Sequence, residues 1–173
     1  MNRVLLLGYG KPGRLDGGLG RALVRAFDGV PEVAGEHDDR PDIRHAALVS
    51  EFETVVVADA ATSADWACFF RRLLPRRAER FPPRAPRPEA VLAMARDGFG
   101  WKGRAYLLGI RGYEFDGYGE RLSPGARANL AVAVDLLTAA LCAAAFDTQT
   151  TAGPLDDSAA ACNGGAPCET AST

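Results

Sequence analysis

Short, unbroken apolar runs alternate with amphipathic segments along most of this 173-residue chain. Val4–Leu7, Val55–Ala58 and Tyr106–Ile110 are runs of the kind found in strands buried on both faces of a sheet. After the first run, apolar residues recur at helical spacing from Leu19 to Phe27. Strands that alternate with helices predict one doubly wound α/β domain, with a mostly parallel sheet and helices on both faces.

The other predicted elements follow from caps, prolines and apolar spacing. They are a second strand at Pro31–Glu36, a helix at Asp42–Phe52, an edge strand or hairpin at Cys68–Leu74, a helix that begins at Pro88, and a long helix from Pro124 to about Phe146. Ser123 before Pro124 is a typical N-cap followed by proline at the first helical position. In the Asp42–Phe52 helix, four residues are expected to face inward: Ile43, Ala46, Ala47 and Val49.

The end of the chain differs in composition from the rest. From Asp147 to Thr173 there are four acidic and no basic residues, which leaves a body with 20 basic and 18 acidic side chains. Small and polar residues without apolar periodicity cannot bury enough surface to offset their ordering entropy. The prediction is a domain over 1–146 and a disordered tail over 147–173, so that truncation after Asp147 changes the melting temperature little. Cys162 and Cys168 in this tail form a small loop, contact another molecule, or do nothing specific.

Composition limits the classes of function. A hydrophobic content of 47% and a charged content of 24% are those of an ordinary globular protein. No apolar run predicts a membrane span and the first residues lack the layout of a signal peptide, so we expect a cytoplasmic protein. The nearly neutral body, without interleaved stacking aromatics, argues against nucleic-acid binding. The arginine-rich stretch Arg71–Arg87 is either a solvated face or a docking surface for an acidic partner.

A glycine-rich loop follows the first predicted strand. It contains the string G-x-G-x-x-G, but Pro12, Gly17 and Gly18 delay the helix until about Leu19, whereas a dinucleotide site needs the helix to open at these glycines. A wide loop that presents polar side chains is therefore favoured over a nucleotide site. Those side chains are Lys11, Arg14 and Asp16. Asp16 either caps the following helix or takes part in chemistry.

Asp59 directly follows the second buried run. A carboxylate there is unfavourable unless it is paired, so Asp59 is either functional or fixed by hydrogen bonds. The chain has two histidines. We expect His45 to be a boundary residue of a helix and His37 to lie in a solvated loop, with no metal role for either.

Four segments, in this order, resemble the nickel-iron hydrogenase maturation proteases, and the chain is similar to a divergent member of that family. They are the loop GYGKPGRLDGGLG at 8–20, VVVADAA at 55–61, PEAVLAMAR at 88–96 and YLLGIRGYEFDGYGERLSPGARANL at 106–130. The family's loop has the form G-x-G-N-P-x-R-x-D-D-G-x-G. The resemblance covers about Asn2 to Leu141. It implies an endopeptidase that removes a C-terminal extension from the large subunit of a nickel-iron hydrogenase once nickel is in place.

The resemblance also implies which residues form the site. The family's proposed nickel-contacting residues are a loop acid, an aspartate after the second buried strand, and a histidine before the P-E-A-V-L helix. Asp59 matches the aspartate, but Gly17 stands in place of the loop acid and Arg84 in place of the histidine. Asp59 is thus the one family metal ligand retained, and Asp59 and Asp16 are the candidate catalytic residues. Lys11 replaces the loop asparagine.

These departures lead to four expectations. Lys11, Asp16, Gly17, Asp59 and Arg84 line one cleft at the carboxyl ends of the strands. Arg84 neutralises Asp59 in place of a metal. The chain binds no cofactor of its own, because nickel belongs to the substrate subunit. The partner is a hydrogenase large-subunit precursor, on which the chain acts either as an endopeptidase with an altered site or as a non-catalytic chaperone or assembly factor.

Overall fold

The chain forms a five-stranded sheet flanked by four α-helices in a computed structural model, which describes residues 4–63, 65–77 and 86–150. The strands are β1 (Val4–Tyr9), β2 (Val33–Asp38), β3 (Thr54–Ala61), β4 (Cys68–Leu73) and β5 (Arg104–Arg111). The helices are α1 (Leu19–Ala26), α2 (Arg44–Ser50), α3 (Pro88–Phe99) and α4 (Pro124–Ala143). Two 3-10 turns are formed by Leu15–Gly18 and Asp147–Gln149.

The sheet has the strand order β2-β1-β3-β5-β4. β1 pairs in parallel with β2 and β3, β3 pairs in parallel with β5, and β4 lies antiparallel to β5 at the edge. The predicted fold class is therefore confirmed. The chain leaves β1 on one side for β2 and then returns to the other side for β3. The carboxyl ends of β1 and β3 thus flank the switch point of the topology, where open α/β sheets bind their ligands.

Both faces of the sheet are covered by helices. α1 and α4 pack on one face through residues such as Leu23 and Leu137, and α2 and α3 pack on the other through residues such as Val49 and Leu92. Glycine allows α1 to approach the sheet closely, because a Cβ at Gly20 would collide with the carbonyl oxygens of Tyr9 and Ala58. The start of α1 is therefore held directly beneath the edge that carries the glycine loop.

Several predicted details are wrong: β2 is Val33–Asp38 instead of Pro31–Glu36, and it includes His37, which was predicted to lie in a loop. β3 continues to Ala61, because its partner β5 continues to Arg111, so Asp59 lies inside a strand instead of after it. The helix predicted at Asp42–Phe52 is shorter, and Ile43 and Ala47 are exposed instead of inward-facing. A helix of seven residues directs only one narrow stripe toward the sheet, and in α2 that stripe is formed by Ala46 and Val49.

α4 begins as predicted. The Ser123 hydroxyl oxygen accepts a hydrogen bond from the Ala126 N–H at 3.2 Å, and Pro124 occupies the first helical position. By length and composition α4 is apolar enough to cross a membrane, a test that buried helices of globular proteins also pass. Its inner residues, such as Ala133 and Leu137, are buried against the sheet.

The first residues of the predicted tail belong to the domain. Asp147 accepts a hydrogen bond from the Tyr106 hydroxyl at 2.6 Å and forms ion pairs with Arg72 at 2.8 Å and Arg104 at 3.2 Å. The Tyr106 ring in turn stacks between Phe70 and Phe146. The structured region thus extends past residue 146, and residues 151–173 lie outside the described residues.

Candidate functional site

Asp59 lies near the carboxyl end of β3, beside the switch point. Because side chains alternate along a strand, Asp59 shares a face with Val57 and Ala61, which pack toward α2 and α3. The position opposite Asp59 on β5 is Gly109, and the Phe69 ring occupies the space that a side chain at Gly109 would need. Asp59 is therefore a half-buried carboxylate in a mostly apolar setting.

The environment of Asp59 favours its neutral form. Burial raises its pKa to about 7, and the hydrogen bond that the Ala60 N–H donates at 2.8 Å offsets this only in part. Within residues 4–63, 65–77 and 86–150, no arginine or lysine forms an ion pair with Asp59. Arg84 lies outside the described residues, so the predicted Arg84–Asp59 contact stays a prediction.

The stability of the protein should therefore depend on pH through Asp59. A raised folded-state pKa means that the folded state holds a proton that the unfolded state releases between about pH 4 and pH 7. Stability is lost as the pH rises through this window. We expect Asp59→Asn, which resembles the neutral acid, to raise the free energy of unfolding by about 1–2 kcal/mol at pH 8, after discounting for partial exposure. At pH 4 the variant and the wild type should be equal within error.

Urea unfolding at the two pH values measures this difference, with the exposed Asp135→Asn as the matched control. The opposite sign, a loss of stability for Asp59→Asn at pH 8, would contradict an unpaired Asp59. It would point to a cation beside the carboxylate, as predicted for Arg84.

A buried tyrosine lies next to Asp59 across the sheet. Tyr9 pairs with Asp38 on β2. On the other side, Gly8 pairs with Ala58 of β3, so the next residue of each strand places Tyr9 beside Asp59. Burial, followed by the negative charges of Asp38 and Asp59, raises the pKa of Tyr9. The phenol is therefore neutral and acts as a hydrogen-bond donor.

His45 on α2 receives that hydrogen bond. The Tyr9 hydroxyl donates to His45 Nδ1 at 3.1 Å, and the Asp42 backbone N–H donates to the same nitrogen at 3.0 Å. These two donors assign the proton of the neutral ring to Nε2, which faces Asp38 Oδ2 at 3.6 Å. Burial lowers the pKa of His45, consistent with a neutral ring. Sequence reasoning missed this cluster, since nothing in the local pattern joins position 9 to position 45.

Asp16 is completely buried, and its carboxylate points into the loop between β5 and α4. Oδ2 accepts hydrogen bonds from the Tyr113 N–H, the Glu114 N–H and the Ser123 hydroxyl, at 2.7–2.9 Å. Oδ1 accepts from the Ser123 N–H at 2.7 Å. Burial acts to raise the pKa of Asp16, but these hydrogen bonds outweigh it and hold the pKa below its usual value.

The geometry at Asp16 favours a structural role over chemistry, because its acceptor positions are already used. It does not cap α1, whose N-cap is Gly18, but joins the glycine loop to the start of α4. Lys11 is exposed on the same loop and Gly17 is partly exposed. The fold thus places the glycine loop and Asp59 at one edge of the sheet, while the Asp16 carboxylate points away into the protein.

A three-ligand metal site is not formed by the residues that the structure describes. No group of three histidine, cysteine, aspartate or glutamate side chains among them is arranged to hold a metal ion. Asp59 supplies one carboxylate, and Gly17 supplies no donor where the resemblance predicts an acid.

Comparison with solved structures identifies the fold class. The chain is similar to the hydrogenase maturating endopeptidase HybD from E. coli, with a TM-score of 0.63, 20% identity, and coverage of 83% of this chain and 94% of that one. It is also similar to the [NiFe] hydrogenase maturation protease HybD from Thermococcus kodakarensis, with a TM-score of 0.58, 22% identity, and coverage of 79% and 97%.

A third similar structure is the [NiFe] hydrogenase maturation protease HycI from Thermococcus kodakarensis, with a TM-score of 0.60, 17% identity, and coverage of 82% and 93%. No protein-family model and no curated protein sequence matches the chain. The chain therefore has the fold of the hydrogenase maturation endopeptidases, at 17–22% sequence identity to these three structures.

Proposed function

We propose that this chain acts on the large subunit of a nickel-iron hydrogenase during its maturation, in the cytoplasm, through a site that departs from the pattern of the maturation proteases. The fold supports the proposal, since the chain spans nearly the whole length of the similar endopeptidases. The observation that carries it is Asp59. It is a half-buried carboxylate beside the switch point that no described cation neutralises, and it stands where the resemblance predicts a functional aspartate.

An unneutralised carboxylate in an apolar setting lowers the stability of the folded protein above its pKa. Such an unfavourable group is typical of sites that meet a ligand or a substrate. In the proposed function, Asp59 faces the nickel-bearing region of the precursor, which is substrate and not a cofactor of this chain. Arg84 and Lys11 line the approach to Asp59.

Two candidate roles follow from this position. In the first, the chain is an endopeptidase, Asp59 contacts the substrate, and cleavage depends on it. In the second, the chain is a non-catalytic chaperone or assembly factor that binds the large subunit without cleaving it. The environment of Asp16 favours the second role, because four hydrogen bonds already occupy its carboxylate. Gly17, which stands where the resemblance predicts a second loop acid, has no carboxylate.

One experiment tests the proposed function and separates the two roles. Purified nickel-loaded precursor is incubated with the wild type and with Asp59→Asn. Mass spectrometry reports loss of the C-terminal extension, and size-exclusion chromatography reports a complex. We expect a complex with the wild type. Cleavage that disappears in Asp59→Asn assigns the endopeptidase role, and a complex with intact precursor assigns the assembly role. The absence of both a complex and cleavage would contradict the proposal.

A further inference from the structure

Exposed aromatic rings are concentrated in the loops at the carboxyl edge of the sheet. Trp66 lies in the β3–β4 loop and is 62% exposed, whereas Tyr113 and Tyr118 lie in the β5–α4 loop and are 51% and 86% exposed. The two loops are joined, because the Arg111 N–H donates to the Ala67 carbonyl at 3.0 Å. Large rings left in solvent on loops at one edge of a sheet are typical of a surface that meets another molecule.

An arginine guanidinium stacks on each of the two tyrosine rings. The Arg14 guanidinium lies over the Tyr118 ring, 4.9 Å from its centroid, and the Arg111 guanidinium lies over the Tyr113 ring at 5.0 Å. In the described part of the chain neither guanidinium is paired with a carboxylate, in contrast to Arg121, which contacts Glu114 at 2.9 Å. Stacking fixes the plane of a guanidinium and leaves its N–H groups free to donate, which suits recognition of a carboxylate.

Backbone hydrogen bonds fix the segments that carry Arg14 and Tyr118, although the Tyr118 ring is exposed. The Leu15 N–H donates to the Gly119 carbonyl at 2.9 Å, and the Gly119 N–H donates to the Gly13 carbonyl at 2.8 Å. Leu15 has a φ of 49°, a backbone conformation that residues other than glycine and asparagine rarely adopt. Its side chain packs beneath Gly117 and Gly119. Backbone strain of this kind persists where the surroundings fix it, and it is concentrated at binding sites.

We propose that the Arg14–Tyr118 and Arg111–Tyr113 pairs form a docking surface for an acidic, carboxylate-bearing segment of the partner polypeptide. The tyrosine rings supply flat apolar contact area, and the guanidinium groups supply paired donors for carboxylates. Asp116 and Glu120 on the same loop are acidic, so the surface selects its partner by the geometry of the two pairs and not by net charge. The identity of the partner as a hydrogenase large subunit rests on the proposed function.

The first arm of the test measures binding of the purified large-subunit precursor. Tyr118→Ala and Arg14→Gln should each raise the dissociation constant about 10- to 30-fold, as expected for residues at the centre of an interface. Phe99→Ala and Lys102→Gln are matched controls, because both residues are exposed at the opposite edge of the sheet, and they should change binding less than about 3-fold. Melting temperatures equal to that of the wild type show that the variants are folded.

The second arm does not depend on the proposed function. Poly-L-glutamate is added to the isotopically labelled protein, and NMR follows the Nε–H signals of Arg14 and Arg111, with poly-L-lysine as the control polymer. Saturable shifts with poly-L-glutamate alone, abolished by Tyr118→Ala, are expected. No shift would overturn the docking surface, whatever the first arm gives.

The two arms separate the two proposals. Precursor binding that is unchanged in Tyr118→Ala and Arg14→Gln overturns the docking surface and leaves the proposed function in place. A wild type that responds to poly-L-glutamate but does not bind the precursor supports the surface and overturns the proposed partner.

Discussion

Asp16→Asn should destabilise the protein by about 3–5 kcal/mol, the largest effect that we expect from a single substitution. Four donors point at the carboxylate: three backbone N–H groups and the Ser123 hydroxyl. An amide group would place its own N–H atoms against at least one of these donors, and buried donors would be left without acceptors. Urea unfolding at pH 7 measures the loss, with the exposed Asp135→Asn as a control for the change in charge.

The same substitution should change the response to acid. A lowered folded-state pKa gives stability that is present above the ordinary carboxyl pKa and is lost as the pH falls through the folded-state value. The wild type should therefore lose stability through this group as the pH falls below about 4, and Asp16→Asn should lack that component. Hydrogen exchange at the Tyr113, Glu114 and Ser123 amides should accelerate in the variant. A loss below about 1 kcal/mol would show that the loop does not depend on this carboxylate.

Truncation after Phe146 should destabilise the protein by about 1–3 kcal/mol, whereas truncation after Thr150 should change its stability little. Asp147 is exposed, but the Tyr106 hydroxyl that donates to it belongs to a fully buried side chain. Loss of Asp147 leaves that hydroxyl with no other carboxylate acceptor in the described structure. The ion pairs with Arg72 and Arg104 are solvent-exposed and add little.

A double-mutant cycle isolates this contact. Tyr106→Phe removes the donor, so Asp147→Ala should cost much less in that background than in the wild type. Thermal unfolding of the four proteins gives the coupling. Equal effects of Asp147→Ala in both backgrounds would show that the Tyr106–Asp147 hydrogen bond is not the origin of the loss. A large destabilisation on truncation after Thr150 would instead show that the residues beyond it pack on the domain.

The elements of this fold were largely determined by local sequence. Apolar runs bounded by glycine specify buried strands, and the Ser123–Pro124 pair specifies where α4 begins, because both signals act over a few neighbouring residues. The resemblance carried by four ordered segments also predicted the fold class correctly. Errors arose where an element's length depends on its partner, as for Asp59, which is inside β3 because β5 continues beside it.

The roles of the candidate site residues were decided by tertiary structure. In the sequence, Asp16 stands next to glycine and Asp59 follows an apolar run. Neither pattern shows which of the two carboxylates is fully hydrogen-bonded in the fold. The partners of Asp16 lie 97–107 residues away, and the contact of Tyr9 with His45 spans 36 residues. Hydrogen bonds over such separations depend on how strands and loops pack, and no local propensity encodes them. The sequence alone therefore determined the strands, helices and family resemblance, while packing decided that Asp16 is a buried structural acceptor and left Asp59 half-buried, without a described counter-charge, at the edge of the sheet.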